Sequence, residues 1–234
     1  MKQKYKDYLL YATIFFSIVY YGLFIFGKIA IFSVSKIEMV DTTISQVPKQ
    51  ILDTIVDVKD KSAIFIGDSH TANHSWGWQI ILCEKTGMKM TNTAVVGKHL
   101  PWMIKIAKRD VNDSFDYCFI YGGANDIHGK RSPYETYKDV QTIVDICNQN
   151  NVIPVVLTGF DAEECVRPIR GQEFYPKAYT EYQLILKDSI RNAILINTKV
   201  VERSDCGDWT CHMNLSGHKK VAQRVIDKMK FKTF

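Results

Sequence analysis

Five short apolar runs, each followed by a segment of helical length, constrain this chain more than any other feature it has. The runs are SAIFIG (62–67), MTNTAVV (90–96), FDYCFIYGG (115–123), VIPVVLTG (152–159) and NAILIN (192–197). Most are continuously apolar instead of alternating, which is how strands covered on both faces read. Helix-length segments lie between them at 71–86, 101–112, 133–149 and 176–191. A last one, 215–230, starts behind Asn214 and carries Val221, Val225 and Met229 at helical spacing. Strands that alternate with helices predict a parallel sheet covered on both sides, an α/β layer sandwich over residues 61–234. With 46% hydrophobic and 24% charged residues the chain can build such a core and is not a disordered one.

The front of the chain has a different character. Residues 8–27 carry no charged side chain, and apolar residues resume after Lys28 up to Val34. About 20 apolar residues rising about 1.5 Å each cross a hydrocarbon layer of roughly 30 Å. The reading is a tail (1–7), a single membrane-spanning anchor (8–34) and a stalk (35–60). Within the stalk Ile44, Val47, Ile51, Ile55 and Val58 recur at helical spacing. A cleaved signal peptide is the competing reading, but its apolar stretch runs about 7–15 residues. Lys2, Lys4 and Lys6 precede the span, whereas Lys28, Lys36 and Lys49 follow it more widely spaced. That bias favours an inside N-terminus with the main domain extracytoplasmic. Of the net charge of +5, residues 1–35 hold +3, so the remainder is nearly balanced and no nucleic-acid partner is expected. Cys83, Cys118 and Cys147 lie in apolar surroundings and read as buried thiols. Cys206 and Cys211 have the spacing of a small disulfide loop. No CxxC pair occurs, and His70 and His74 find no third ligand at suitable spacing, so neither a metal nor another cofactor is expected.

In a parallel sheet, reactive groups collect where the strands end and the crossovers open a crevice. Strand one runs into Gly67, Asp68, Ser69 and His70. Strand two ends in Val96, Gly97, Lys98 and His99. Strand three ends in GGANDIH (122–128), and DCGDWTCHMNLSGH (205–218) follows strand five. A serine hydroxyl needs a base to become a nucleophile, a histidine serves, and a carboxylate behind it fixes the tautomer. Donors must then hold the oxyanion of the tetrahedral intermediate. The rim supplies Ser69, His212 and Asp208 for the first task. For the second it supplies the backbones of Ser69 and Gly97 and the side chain of Asn125.

These residues resemble the SGNH (GDSL-like) hydrolases. The GDS block matches Gly67 to Ser69, and NTAVVG (92–97) is similar to the block with an asparagine and a later glycine, although Ala94 stands where a first glycine is common. GAND (123–126) matches GxND, and DWTCHMNLSGH (208–218) matches the last block at His212, Asn214 and Gly217. The resemblance spans about 62–230. It implies a flavodoxin-like three-layer α/β/α sandwich with a five-stranded parallel sheet, a Ser69 nucleophile, Asn125 as oxyanion donor, and metal-free esterase, lipase, deacetylase or acyltransferase chemistry. Asp208 precedes His212 by four residues where the family has three, so Asp205 or a serine–histidine dyad stays open. GDSH also looks like domains tied to polysaccharide O-acetylation. With an anchor, that tilts the substrate toward O-acetyl groups on carbohydrate or cell-envelope glycan. The alternatives are acyl transfer to a glycan and an inactive anchored scaffold. His70, His99 and His128 are expected to contact substrate at the rim, Asp68 and Asp126 to order their loops, and Trp76, Trp78 and Trp102 to anchor helices to the sheet.

Overall fold

The structure is a computed structural model that describes residues 55–72, 75–165, 174–207 and 212–234. The expected tail, the anchor at 8–34, the stalk up to residue 54, His74, Asp208 and Cys211 lie outside the described residues. Among those described, no helix is long and apolar enough to cross a membrane.

Strand β1 (Ser62–Gly67) is buried from Ala63 onward and forms over the residues its apolar run predicts. It pairs in parallel with β2 (Lys89–Asn92) on one side and β3 (Tyr117–Tyr121) on the other. β4 (Ile153–Leu157) and β5 (Ile194–Ile196) extend the sheet, giving the order β2-β1-β3-β4-β5. The chain thus leaves β1 in one direction, to β2, and leaves β3 in the other, to β4. Right-handed crossovers then place the helices on opposite faces. Helix α1 (Trp78–Thr86) packs on the last helix, α7 (Leu215–Met229). Helices α2 (Leu100–Asp110), α4 (Pro133–Gln149) and α6 (Phe174–Ser189) pack in sequence on one another. Two short helices, α3 (Ala124–His128) and α5 (Ala162–Cys165), follow β3 and β4. The five-stranded, flavodoxin-like sandwich is the architecture expected.

Helix ends follow local chemistry. Ser132 caps α4 by accepting from Glu135 N–H at 3.1 Å, with Pro133 in the first turn, where its missing N–H costs nothing. Asn214 caps α7 by accepting from Gly217 N–H at 3.2 Å.

Several boundaries depart from the sequence reading. The first helix starts at Trp78 and not at 71, because residues 68–72 form a turn of their own. The second strand stops at Asn92 and not at 96. The Asn92 side chain folds back, accepting from Ala94 N–H at 3.0 Å and donating to Thr71 O at 2.8 Å. Helical spacing does not carry through Val58 either. Val56 bridges in parallel to Phe231 and Val58 is fully buried, so this domain's packing begins before residue 61. Trp78 is buried and packs edge-on against Phe65 and Phe119, the helix-to-sheet anchor predicted. Trp76 is half-exposed beside His218. Cys83, Cys118 and Cys147 are buried thiols, as is Cys165. The loop expected between Cys206 and Cys211 falls outside the described residues.

Candidate active site

The topological switch point lies between β1 and β3, the place where an open α/β sheet parts its loops. Ser69 stands just past the end of β1 and Asn125 just past the end of β3. Gly67 pairs with Tyr121 across these strands, and a Cβ there would lie 2.6 Å from the Tyr121 carbonyl oxygen. A side chain at 67 would therefore force the two strand ends apart.

The turn that presents Ser69 is held at nearly every carbonyl. Asp68 O accepts from Thr71 N–H at 3.0 Å and from Ala72 N–H at 2.8 Å. The Trp78 indole donates to His70 O at 3.1 Å, Asn92 Nδ2 to Thr71 O, and Gln79 Nε2 to Ala72 O at 3.3 Å. Such bonds fix a serine hydroxyl in space without using the hydroxyl itself, which leaves it for chemistry. The structure then brings His212, 143 residues away, to that hydroxyl: His212 Nε2 and Ser69 Oγ are 3.0 Å apart. That is hydrogen-bond reach for a nucleophile and its base.

His212 is carried by a small hairpin. Gly207 N–H donates to His212 O at 2.8 Å, Cys206 and Met213 form an antiparallel bridge, and Asn214 N–H donates to Asp205 O at 2.8 Å. Asp205 itself is nearly inaccessible. Its carboxylate accepts from Ser216 Oγ at 2.8 Å, Lys220 Nζ at 2.7 Å and Glu202 N–H at 2.9 Å. Burial pushes that carboxyl up, but these donors outweigh it and hold it below the usual carboxylate range. Asp205 is thus committed to fastening the start of α7 to the hairpin.

The loop that carries Gly97 is tied both to the end of β1 and to the Asn125 amide. Gly97 sits in a left-handed conformation (φ +73°) with open space where a side chain would be. Val95 N–H, two residues earlier, donates to Gly67 O at 3.1 Å, which ties this loop to the end of β1. Asn125 Nδ2 donates one hydrogen to Lys98 O at 3.0 Å, which fixes which end of the amide is nitrogen and leaves a second N–H. Asp126 is fully buried, accepting from Leu100 N–H at 3.0 Å and Arg131 Nη1 at 2.9 Å. It joins the α3 turn to the start of α2. Gly123 opens α3 at φ +104° with the Tyr182 ring against it, and Tyr182 OH donates to Gly122 O at 2.9 Å. This tyrosine brace had no signature in the sequence beyond a buried aromatic on α6.

The three rim histidines divide. His99 is half-exposed, with Nδ1 3.8 Å from Asp126 Oδ1, and His128 is exposed beside the Tyr175 ring. His70 is instead 3% exposed, stacked between Tyr121 and Phe160 with the His212 ring 5.4 Å away. It packs behind the site and offers no free face to a substrate, a correction to its expected rim position. The cause is local: with no helix starting at residue 71, the turn points residue 70 inward. Among the described residues no cluster of side chains is suited to hold a metal ion.

Asp68, next to the nucleophile, is completely buried. Its Oδ1 accepts from His70 N–H at 3.0 Å, and its Oδ2 finds no hydrogen-bond partner among the described residues. Burial, aided by the charge of Asp126, pushes its pKa up to about 7. The folded chain therefore holds a proton that the unfolded chain releases near pH 4, and stability falls as pH rises between those values, then levels off. Asp68→Asn keeps the acceptor for His70 N–H and removes the charge. It should unfold at the same denaturant concentration as the parent at pH 4, and at pH 8 be more stable by up to about 4 kcal/mol. Denaturant titrations at the two pH values measure this.

No protein-family model matches the chain, and no curated protein matches its sequence. Solved structures do. A member of the lipolytic G-D-S-L family from Veillonella parvula superposes with a TM-score of 0.60 at 18% identity, covering 71% of this chain and 97% of that one. A catalytic mutant of an acetylxylan esterase from Geobacillus stearothermophilus gives 0.58 at 15% identity, covering 74% and 96%. The psychrotrophic esterase EstA from a Pseudoalteromonas species gives 0.53 at 17% identity, covering 73% and 97%. At these identities the likeness is one of fold.

Proposed function

We propose that this chain is a serine ester hydrolase that removes an O-acetyl group from carbohydrate or cell-envelope glycan. The observation that carries the reading is the 3.0 Å approach of His212 Nε2 to Ser69 Oγ at the sheet's switch point. In this mechanism His212 takes the Ser69 proton as Oγ attacks the ester carbonyl. The Ser69 and Gly97 N–H groups and the second Asn125 N–H hold the oxyanion. His212 then returns the proton to the departing sugar hydroxyl, leaving an acetyl-enzyme. Water, deprotonated by His212, attacks the acetyl carbonyl, and His212 returns that proton to Ser69 Oγ as the acyl–oxygen bond breaks, freeing acetate and the Ser69 hydroxyl. Asp208 orients His212, and His99 and His128 face substrate from the rim.

The acetylxylan esterase among the fold neighbours supports an acetylated carbohydrate, and the apolar segment 8–34 supports placement at a membrane with the domain outside the cytoplasm. A fluorophosphonate probe tests the chemistry directly. It should label the parent chain stoichiometrically and leave Ser69→Ala unlabelled, with the modified peptide containing residue 69. Equal labelling of both proteins would remove Ser69 as nucleophile.

A further inference from the structure

Ser69 and His70 are neighbours in the chain, and both reach His212. The Ser69 hydroxyl lies 3.0 Å from His212 Nε2, and the His70 ring lies 5.4 Å from the His212 ring, centroid to centroid, with 32° between their planes. One dipeptide therefore meets the base twice, once through a hydroxyl and once through a ring. Its backbone is fastened on either side of that ring. His70 N–H donates to Asp68 Oδ1 at 3.0 Å, and His70 O accepts from the Trp78 indole at 3.1 Å.

The His70 ring is also held from behind. It stacks on Tyr121 at 5.4 Å and 16° and on Phe160 at 5.0 Å and 29°, and Phe160 stacks in turn on Tyr179 at 5.0 Å and 18°. All four rings are buried. Ring pairs at such separations attract beyond the area they bury, and an interior packed this closely leaves the imidazole one place to be. His212 is in the opposite situation: it is exposed, at the end of a small hairpin. An exposed side chain samples several staggered rotamers, and only one that aims Nε2 at Ser69 can take the proton. A fixed ring beside it removes part of that freedom and favours the reactive orientation by contact. Since misplacing a reacting group by about 1 Å can cost about 10² in rate, such a wall matters to turnover. Because one turn carries both hydroxyl and wall, any shift of the turn moves them together.

Resting on the esterase reading above, we infer that His70 is a positioning residue for the base: its ring, backed by Tyr121 and Phe160, is the wall that keeps His212 on Ser69. The role belongs to the flat ring and not to its nitrogens. It acts on proton transfer and not on substrate binding, since His70 packs behind the site. The test uses the full-length chain in detergent with His70→Phe, which keeps a ring, and with His70→Leu and His70→Gln, which fill the space without one. Turnover of p-nitrophenyl acetate gives kcat and KM, and the rate of fluorophosphonate labelling at residue 69 reports the reactivity of the hydroxyl. His70→Phe should hold both rates within about threefold of the parent, and the ringless variants should lower both by about tenfold or more. KM should stay unchanged, because acylation and deacylation both draw on His212. An apolar and a polar replacement guard against a folding failure peculiar to one of them, and His70→Phe reads the outcome without either. Full rates in a ringless variant, a tenfold loss in His70→Phe, or a change in KM in place of kcat would each overturn the wall. Those results leave Ser69 as nucleophile, since the parent still labels at residue 69. A parent chain labelled no faster than Ser69→Ala would instead remove the esterase reading itself.

Discussion

Replacing Ser69 by alanine should lower the turnover of a p-nitrophenyl acetate substrate by about 10⁴–10⁶, and replacing His212 by alanine should lower it about as much. The double variant should be no worse than either one alone, since a hydroxyl without its base, or a base without its hydroxyl, performs the same missing step. That non-additivity is the sharper half of the prediction. A histidine that merely touched substrate would contribute a loss that multiplies with the serine's. On the proposed mechanism the residual rate should stay above that of the ester in buffer, because the oxyanion donors assigned to Asn125 and Gly97 remain, and such donors are worth about 10²–10³ each. Steady-state rates for the four proteins on one ester decide the matter. Losses that multiply would show that the 3.0 Å contact between the two side chains is not a catalytic unit.

Much of this arrangement was legible before any coordinates. Strand β1 forms over its predicted residues because a run of four buried apolar residues between Ser62 and Gly67 has only one place to go in a sheet covered on both faces. The sheet order then puts residues 69 and 125 together without reference to any side chain. What the sequence hid were contacts that depend on neighbours far along the chain. Propensity placed a helix at 71, but Trp78, Asn92 and Gln79 capture the carbonyls of residues 70–72 and keep a turn there. The same turn carries His70 away from the rim and between two aromatic rings supplied by β3 and the segment after β4. A histidine beside a serine reads as a rim group only until those rings are in place. Likewise the sequence offers the Asn125 amide as one of three oxyanion donors but hides its bond to Lys98 O, through which two loops orient it together.

The acid behind His212 gives the second large effect. Asp208 and Asp205 both precede the histidine, and neither stands at the three-residue spacing of the family the chain resembles, so spacing alone does not choose between them. The Asp205 carboxylate, however, is taken up by Ser216, Lys220 and the Glu202 N–H, and it is already ionised in that network. A carboxylate that spends both oxygens on the start of α7 is poorly placed to select a tautomer on His212, and the function proposed above assigns that task to Asp208. Asp208→Asn should then cost up to about 10⁴ in kcat while leaving unfolding unchanged, the signature of a histidine held in the wrong tautomer. Asp205→Asn should do the reverse. It weakens charge-assisted hydrogen bonds and costs about 1–3 kcal/mol of stability, with a smaller loss of rate that follows the loosened hairpin. The pH dependence separates them further. Asp205 has its carboxyl lowered by folding, so its contribution is present above about pH 4 and is lost as the pH falls through the folded value. Asp205→Asn should therefore flatten the acid limb of the stability curve, and Asp208→Asn should leave that limb alone. If instead Asp205→Asn carries the 10⁴ loss with stability intact, the hairpin must rearrange to turn that carboxylate onto His212. If neither substitution costs more than tenfold, Ser69 and His212 work as a dyad.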